Sequence, residues 1–448
     1  MDRLFEKAKK VLTNNWQGRY TIPAAGIYPF QWNWDSGFIA IGWAHFDITK
    51  AVKEIDSLFN AQWTNGFLPH IVFWDEASDK AYFPGSDFYR THLSSHSINA
   101  HGTSGITQPP VHAFILEKLL AITNKDEQVV GLIKKLFNPL FQYHRYLYKE
   151  RDPLREGLVY ILHNWESGTD NSPAWDGIFS KMDQFVPNYD IQKLRKDTLH
   201  VNEKQRPKNR EYDFYLYLVE VIKNSKYRTE PIFKKSPFLV QDPLFNALLI
   251  RSNESLIKLA ELAGESGKIE QIEAWQEKAV QSLNDKLYDE KMGTYLYFDL
   301  KSNKKIDKIT SSGFAPLLTS APDAVKVKRL TATMNGKKFK GENGRYFLCP
   351  SFDTTAEAFE SQRYWRGPVW LNMNWLLYQG LQRHGCPKLA EEIKKDSLQI
   401  VGEQGFYEYF EPEKEKSKWM DGKGYGGATF SWTAALVIDF LKSERGGE

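Results

Sequence analysis

The chain has 448 residues, a formal net charge of +3 and only two cysteines, Cys349 and Cys386; 42% of the residues are hydrophobic and 26% are charged. The small net charge argues against nucleic-acid binding, and two cysteines exclude a disulfide framework and argue against a thiolate metal site. No apolar run approaches the ~20 residues that cross a bilayer, and the N-terminus lacks a signal-peptide core, so we expect a cytoplasmic protein without membrane contact.

Most long segments show the spacing of apolar side chains that is typical of helices. The helix over 243–263 is marked most clearly, since Asp242 can cap its start, Pro243 suits its first turn and Gly264 can close its end. The other predicted helices cover residues 2–14, 36–61, 109–122, 127–149, 212–223, 270–287, 322–334, 369–382, 387–401 and 430–442.

Strand signals are sparse. One β-hairpin is predicted, with strands at 294–300 and 306–310 around a turn at 302–305. The chain shows no alternating βαβ pattern and no linker rich in Pro, Gly or Ser. The fold class we predict is therefore all-α, a single domain over 1–448 closed as an α/α toroid, with the chemistry on loops at one end.

Aromatic residues make up 14% of the chain, including 14 Trp and 22 Tyr. Many of them adjoin Asp, Asn or Gln, in five clusters at 28–37, 105–110, 164–176, 364–370 and 405–412. One such cluster is equally typical of a loop packed onto a core. Five together favour a sugar site, because sugar rings stack on aromatic faces while planar polar groups bind the hydroxyls.

The cluster at 164–176 combines three carboxylates with the Gly, Asn, Ser and Pro residues of a loop. Glycoside hydrolysis needs two carboxyl groups that flank the scissile bond. Asp170 is the preferred first one, because the turn that follows directs it out of a helix end. Glu166 could instead cap the turn or bind a hydroxyl, and Asp176 could cap a helix.

The second carboxyl group is predicted at Glu408, between Tyr407 and Tyr409. Glu411 and Glu413 begin an acidic and basic stretch that we interpret as an exposed loop. Metal chemistry lacks support, since the histidines show no HExxH spacing and are interpreted as structural or pocket residues. No cofactor is expected either, because 424–427 is not a dinucleotide fingerprint. The histidines considered are His101, His112, His144 and His163.

Four segments resemble, in the same order, motifs of the glycoside hydrolase family that holds processing α-glucosidase I and the bacterial mannosylglycerate and glucosylglycerate hydrolases. They lie at 166–173, 364–370, 406–410 and 426–433. The resemblance runs from about residue 28 to residue 433. It implies an (α/α)6 barrel with extended active-site loops and an inverting mechanism, with Asp170 as general acid and Glu408 as general base.

The resemblance further implies a small substrate, glucosylglycerate or mannosylglycerate, cleaved to hexose and glycerate. Arg206 would pair with the glycerate carboxylate and Tyr212 would close the loop around it, although Arg210 could replace Arg206. Around the hexose, the resemblance implies Tyr28, Trp32, Asp35, Gln108, Tyr364, Trp365 and Trp370.

Several alternatives stay open. They are a trehalase or oligosaccharide α-glucosidase, a non-catalytic sugar-binding protein, and a sugar epimerase on the same toroid, which would use histidines as acid and base. Aromatic residues around 418–420 are expected at a lid or at the interface of a homo-oligomer.

Overall fold

The computed structural model describes residues 2–98 and 100–443. Helices dominate this part of the chain. The α-helices are α1 Asp2–Asn15, α2 Asn33–Ala44, α3 Ile48–Phe59, α4 Glu76–Ala81, α5 Ser86–Tyr89, α6 His112–Ile122, α7 Glu127–Glu150, α8 Asp176–Met182, α9 Ile191–Leu194, α10 Asn209–Asn224, α11 Thr229–Lys235, α12 Pro243–Ala263, α13 Ile269–Ser282, α14 Ala324–Met334, α15 Lys337–Lys340, α16 Leu371–Arg383, α17 Pro387–Gln404, α18 Lys414–Ser417 and α19 Ser431–Lys442.

The strands are short and pair antiparallel in four small sheets, of orders β1-β2-β3, β4-β7-β8, β5-β6 and β9-β10. Their bounds are β1 Gln31–Trp32, β2 Ile71–Phe73, β3 Gly102–Thr103, β4 Val240–Gln241, β5 Tyr288–Asp289, β6 Thr294–Tyr295, β7 Tyr297–Asp299, β8 Lys304–Ile306, β9 Tyr407–Tyr409 and β10 Tyr425–Ala428. The β9–β10 pair places Tyr425 opposite Tyr409.

Six helical segments form a closed inner ring in the order α2, α6, α12, the 3-10 helix Ser311–Leu318, α16 and α19, which packs back on α2. Every residue of α2 and of Ser311–Leu318 is buried, as expected for mainly apolar helices that other elements surround. The outer helices α1, α3, α7, α13, α14 and α17 alternate with the inner ones along the chain and pack against them. This arrangement is an (α/α)6 barrel, which confirms the predicted fold class.

Two sequence predictions need correction. The single helix predicted over 36–61 is wrong, because the chain turns at 45–47 and the Asp47 side chain caps α3 by accepting the Lys50 N–H. The predicted hairpin exists as β7 and β8, but its turn lies earlier. Lys304 and Lys305, predicted in the turn, belong to β8, and β6 pairs with β5 instead.

One connected hydrophobic core runs from Ala8 in α1 to Leu441 in α19. Such continuity is what a single domain over 1–448 requires, although that boundary stays a prediction. Within residues 2–98 and 100–443, no helix is both long enough and apolar enough to cross a membrane.

Candidate active site

A cavity of about 320 Å³ opens at the end of the barrel where inner helices begin, a volume near the lower limit of small-molecule sites. The N-cap residues of α2, α16 and α19 are Trp32, Trp370 and Phe430, and all three line the cavity. The wall contains every residue that the sequence predicted for the site: Tyr28, Trp32, Asp35, Gln108, Asp170, Arg206, Tyr212, Tyr364, Trp365, Trp370 and Glu408.

Several contacts fix the conformation of the loop that carries Asp170. The 3-10 helix Asn164–Ser167 ends at Gly168, whose φ of 71° and position suit only glycine, since a Cβ there would lie 2.5 Å from the Trp34 ring. The side-chain amide of Asn164 then donates to the backbone carbonyl of Asp170 at 2.8 Å. These contacts hold the backbone of Asp170 at the cavity wall.

The two other carboxylates of this loop have different positions. Glu166 is fully buried outside the cavity wall, where it accepts two hydrogen bonds from Arg151 at 2.9 and 3.0 Å and one from the Leu162 N–H. It therefore holds the turn, and the alternative that it binds a sugar hydroxyl is wrong. Asp176 is the first residue of α8 and pairs with Arg366 instead of acting as the N-cap, which is Trp175.

The electrostatic surroundings of Asp170 favour its protonated form. Desolvation raises the pKa of Asp170 to about 7, Arg206 acts against the rise, and the negative charge of Glu408 adds to it. A carboxyl group with a pKa near neutrality can carry and release a proton under ordinary conditions. Asp170 therefore has the acid strength that a general acid needs.

Glu408 lies on β9 and is 2% exposed. Its Oε1 accepts the Tyr28 hydroxyl at 2.9 Å, and its Oε2 accepts the Gly427 N–H at 3.0 Å. Nη1 of Arg206 lies 3.6 Å from Oε2. Burial raises the pKa of Glu408, while Arg206 opposes that rise and favours the carboxylate.

Arg206 belongs to a charged network that spacing did not reveal. It donates to the Tyr28 hydroxyl at 2.9 Å and to Asp197 Oδ2 at 2.8 Å, and Asp197 also accepts from Arg195 and Tyr212. Burial opposes the ionisation of Asp197, but the two arginines outweigh it and hold its pKa well below the usual range. Only Arg206, Arg210 and Tyr212 were predicted on this stretch of chain, so Asp197 and Arg195 were missed.

Arg210, the alternative to Arg206, lies outside the cavity. Its side chain is 37% exposed and pairs with Asp183 and Asp213, whereas that of Arg206 is 5% exposed. The alternative is therefore wrong.

The exposed loop predicted at Glu411 is also wrong. Glu411 is 1% exposed, and it accepts the hydroxyl of Tyr425 on β10 at 2.8 Å.

Aromatic rings form the walls. The Trp365 and Trp370 rings stack with centroids 3.8 Å apart, and Tyr409 extends the stack behind Trp370. Asp35 lies in the first turn of α2, and burial raises its pKa well above the usual range. Gln108 Oε1 accepts the Trp34 N–H at 3.2 Å, which leaves its amide nitrogen for other partners.

The wall also contains residues that were not predicted for the site, among them several aromatic side chains and His70. Trp34, Trp165 and Trp432 stood within the motifs, so a signal was present, whereas Tyr82 stands in a stretch without periodicity. Burial lowers the pKa of the cavity residue His70 to about 3, so its imidazole is neutral. Added to the predicted set are Trp34, His70, Tyr82, Tyr89, Trp165, Phe430 and Trp432.

Three of the four histidines considered for metal binding are hydrogen-bonded within the core: His112 to the Asn33 carbonyl, His144 to Asn253 and His163 to the Tyr215 carbonyl. This confirms their structural interpretation. Across the described part of the chain, no three His, Cys, Asp or Glu side chains cluster as metal ligands would.

A barrel of six helix pairs, with Asp170 and Glu408 among the carboxyl groups of an aromatic cavity at one end, defines a glycoside hydrolase of the (α/α)6 class. Comparison with known proteins agrees. Residues 28–433 match the family model of the mannosylglycerate hydrolase MGH1-like glycoside hydrolase domain. The chain belongs to this family, and the family resemblance stated from the sequence is confirmed.

Individual relatives cover the whole chain. The mannosylglycerate hydrolase of Rubrobacter radiotolerans is 40% identical over 98% of this chain and 97% of its own length. The glucosylglycerate hydrolase of Mycolicibacterium hassiacum is 32% identical over 98% of both chains. The crystal structure of the GH63 mannosylglycerate hydrolase from Thermus thermophilus in complex with Tris is 40% identical, with a TM-score of 0.87, over 98% of this chain and 100% of that one.

Proposed function

We propose that this glycoside hydrolase cleaves the α-glycosidic bond of mannosylglycerate or glucosylglycerate, to hexose and glycerate, with inversion at the anomeric carbon. One observation carries the proposal. A single cavity holds Asp170, whose pKa is raised to about 7, and Glu408, a carboxylate held by Tyr28 and Arg206. The activities named for the relatives from Rubrobacter and Mycolicibacterium support the substrate class.

Asp170 is the general acid. Its carboxyl proton passes to the glycosidic oxygen while the bond from that oxygen to C1 breaks. The glycosidic oxygen therefore leaves as a neutral hydroxyl group of glycerate. Glu408 is the general base. It takes a proton from the water that attacks C1 on the opposite face, and its contacts with Tyr28 and Gly427 orient the accepting oxygen.

The hexose is bound by the wall of stacked rings, with Asp35 and Gln108 on its hydroxyls. Arg206 binds the glycerate carboxylate, and Tyr212 supports it through their common partner Asp197. Burial raises the pKa of Asp35 and Asp170, so both are counted as protonated. The cavity wall then carries three cations, Arg195, Lys196 and Arg206, against two anions, Asp197 and Glu408. The excess of one positive charge suits a monoanion.

A substrate panel tests the proposal. Mannosylglycerate, glucosylglycerate, trehalose, kojibiose and maltose are offered separately, and the first anomer released is followed by NMR. We expect glycerate from at least one glycosylglycerate, with the β-hexose appearing first. Hydrolysis of trehalose or maltose without glycerate release contradicts the substrate. The α-hexose appearing first contradicts inversion.

The same proposal places the enzyme in the cytoplasm, where its two free cysteines, Cys349 and Cys386, stay reduced. Cell fractionation checks this location.

The association of copies of the chain stays a prediction that centres on Trp419, which is 84% exposed. Light scattering tests this by comparing the mass of the wild type with that of Trp419→Ala. Equal masses show that Trp419 is not part of an interface.

A further inference from the structure

The loop that carries Asp170 is held at both ends by an arginine–carboxylate pair. Upstream, Arg151 binds both oxygens of Glu166 inside the core. Downstream, Nη1 and Nη2 of Arg366 each donate to one oxygen of Asp176 at 2.8 Å. Asp170 lies between these two attachments, so its position depends on both.

Arg366 also joins this loop to the aromatic wall. It is the last residue of the 3-10 helix Tyr364–Arg366, whose first two residues line the cavity. The side-chain oxygen of Asn171 accepts the Trp365 N–H at 2.9 Å, which ties the neighbour of Asp170 to the same segment. Glu360 Oε1 lies 3.1 Å from Arg366 Nε and forms a second ion pair with the guanidinium.

We propose that Arg366 and Asp176 form a positioning pair that keeps the Asp170 carboxyl group at the glycosidic oxygen, an inference that rests on the proposed function. Neither residue is part of the cavity wall, and the side chains of Asp176 and Arg366 are 44% and 11% exposed. Because the Asp176 end of the ion pair lies in solvent, a change there should alter folding stability little. A displacement of an acid by about 1 Å, in contrast, costs on the order of 10²-fold in rate.

A glycosyl fluoride as substrate shows whether a variant displaces the acid, because the cleavage of its C1–F bond does not need the acid. Water attacks C1, the C1–F bond breaks, fluoride leaves as F⁻ without a proton, and Glu408 takes the proton of the water. The glycosylglycerate instead needs the Asp170 proton on its leaving oxygen. A displaced Asp170 therefore slows the glycoside and spares the fluoride.

The test uses Asp176→Asn, Arg366→Met and the double variant, with the accepted glycosylglycerate and the matching α-glycosyl fluoride. We expect kcat to fall about 10- to 100-fold for the glycoside and less than roughly threefold for the fluoride, with little change in KM. The double variant should lose no more than the worse single variant, because both act through one contact. Arg366→Lys, which keeps the charge, should recover part of the loss.

Arg345→Met is the control, since it removes the exposed partner of an ion pair, as Asp176→Asn does: Arg345 is 55% and its partner Glu413 12% exposed. Both residues lie outside the cavity wall, so this change should leave both rates unchanged. Equal losses for both substrates, additive losses in the double variant or an unchanged glycoside rate overturn the proposal. Circular dichroism identifies any variant that fails to fold, and Asp176→Asn, at an exposed site, then decides the outcome.

Asp170→Asn tests the underlying function separately. It should abolish glycoside hydrolysis and keep fluoride hydrolysis. If Asp170→Asn retains glycoside hydrolysis, the assignment of the acid fails, whatever the Arg366 variants do.

Discussion

The Tyr28 hydroxyl donates to Oε1 of Glu408 at 2.9 Å and accepts from Nη1 of Arg206 at the same distance. One phenol therefore joins the carboxylate assigned as general base to the arginine assigned to the glycerate. The two ends of the proposed substrate are in this way coupled through a single hydroxyl group.

Tyr28→Phe removes this link. A hydrogen bond to a charged group contributes about 1.5–3 kcal/mol, so we expect kcat to fall by roughly 10- to 100-fold. Because the Tyr28 hydrogen bond lowers the pKa of Glu408, its loss should also move the acidic limb of kcat/KM to higher pH. Tyr217→Phe on α10, outside the cavity wall, is the control, and an unmoved acidic limb contradicts the assigned base.

The alkaline limb of the pH profile should lie near pH 7, because desolvation raises the pKa of Asp170 to about 7 and the general acid must carry its proton. The measurement is kcat/KM against pH with a glycosylglycerate. Hydrolysis of an α-glycosyl fluoride needs no acid and should continue unchanged above pH 7. If both substrates show the same alkaline limb, the group that ionises there is not Asp170.

Asp170→Asn should change stability in a pH-dependent way. The pKa of Asp170 is raised from 3.8 to about 7 in the folded chain. The stability that the protonated carboxyl contributes is therefore fully present below pH 3.8, falls as the pH rises from there, and is gone above pH 7. The Tm of Asp170→Asn minus that of the wild type should therefore be larger at pH 8 than at pH 5. Calorimetry at both pH values checks this, and a constant difference in Tm contradicts it.

Arg206→Gln should weaken the use of anionic substrates. Truncating one partner of a buried charged pair costs about 2 kcal/mol or more, so kcat/KM for a glycosylglycerate should fall at least about 30-fold. Inhibition by free glycerate should also be lost. The control is Arg210→Gln on the same stretch of chain, since the Arg210 side chain is partly exposed, at 37%, and lies outside the cavity wall. Equal effects of the two variants contradict the assignment of Arg206.

The sequence predicted the barrel and the site through different kinds of signal. Apolar spacing located most helices, because the buried face of a helix repeats every three to four residues. It failed at 45–47, where α2 ends and α3 begins without interrupting the apolar pattern. The cap formed by Asp47 was the only local sign of that break.

The residues of the cavity were predictable where aromatic and polar groups occur together, as at Trp365 and Glu408. Spacing could not decide between Arg206 and Arg210, four residues apart, because which one turns inward depends on packing against Tyr28 and Asp197. For the same reason, the ion-paired Asp197 was not foreseen. Charged loops carry little local information about which side chains become buried.

The three N-cap residues that line the cavity have a consequence for its electrostatic potential. Trp32, Trp370 and Phe430 offer no side-chain acceptor, so none of them caps its helix. The positive ends of three helix macrodipoles, each worth about half an elementary charge, therefore lie at the cavity wall. Their combined field attracts an anionic substrate and weakens as added salt screens it, so capture should slow with ionic strength.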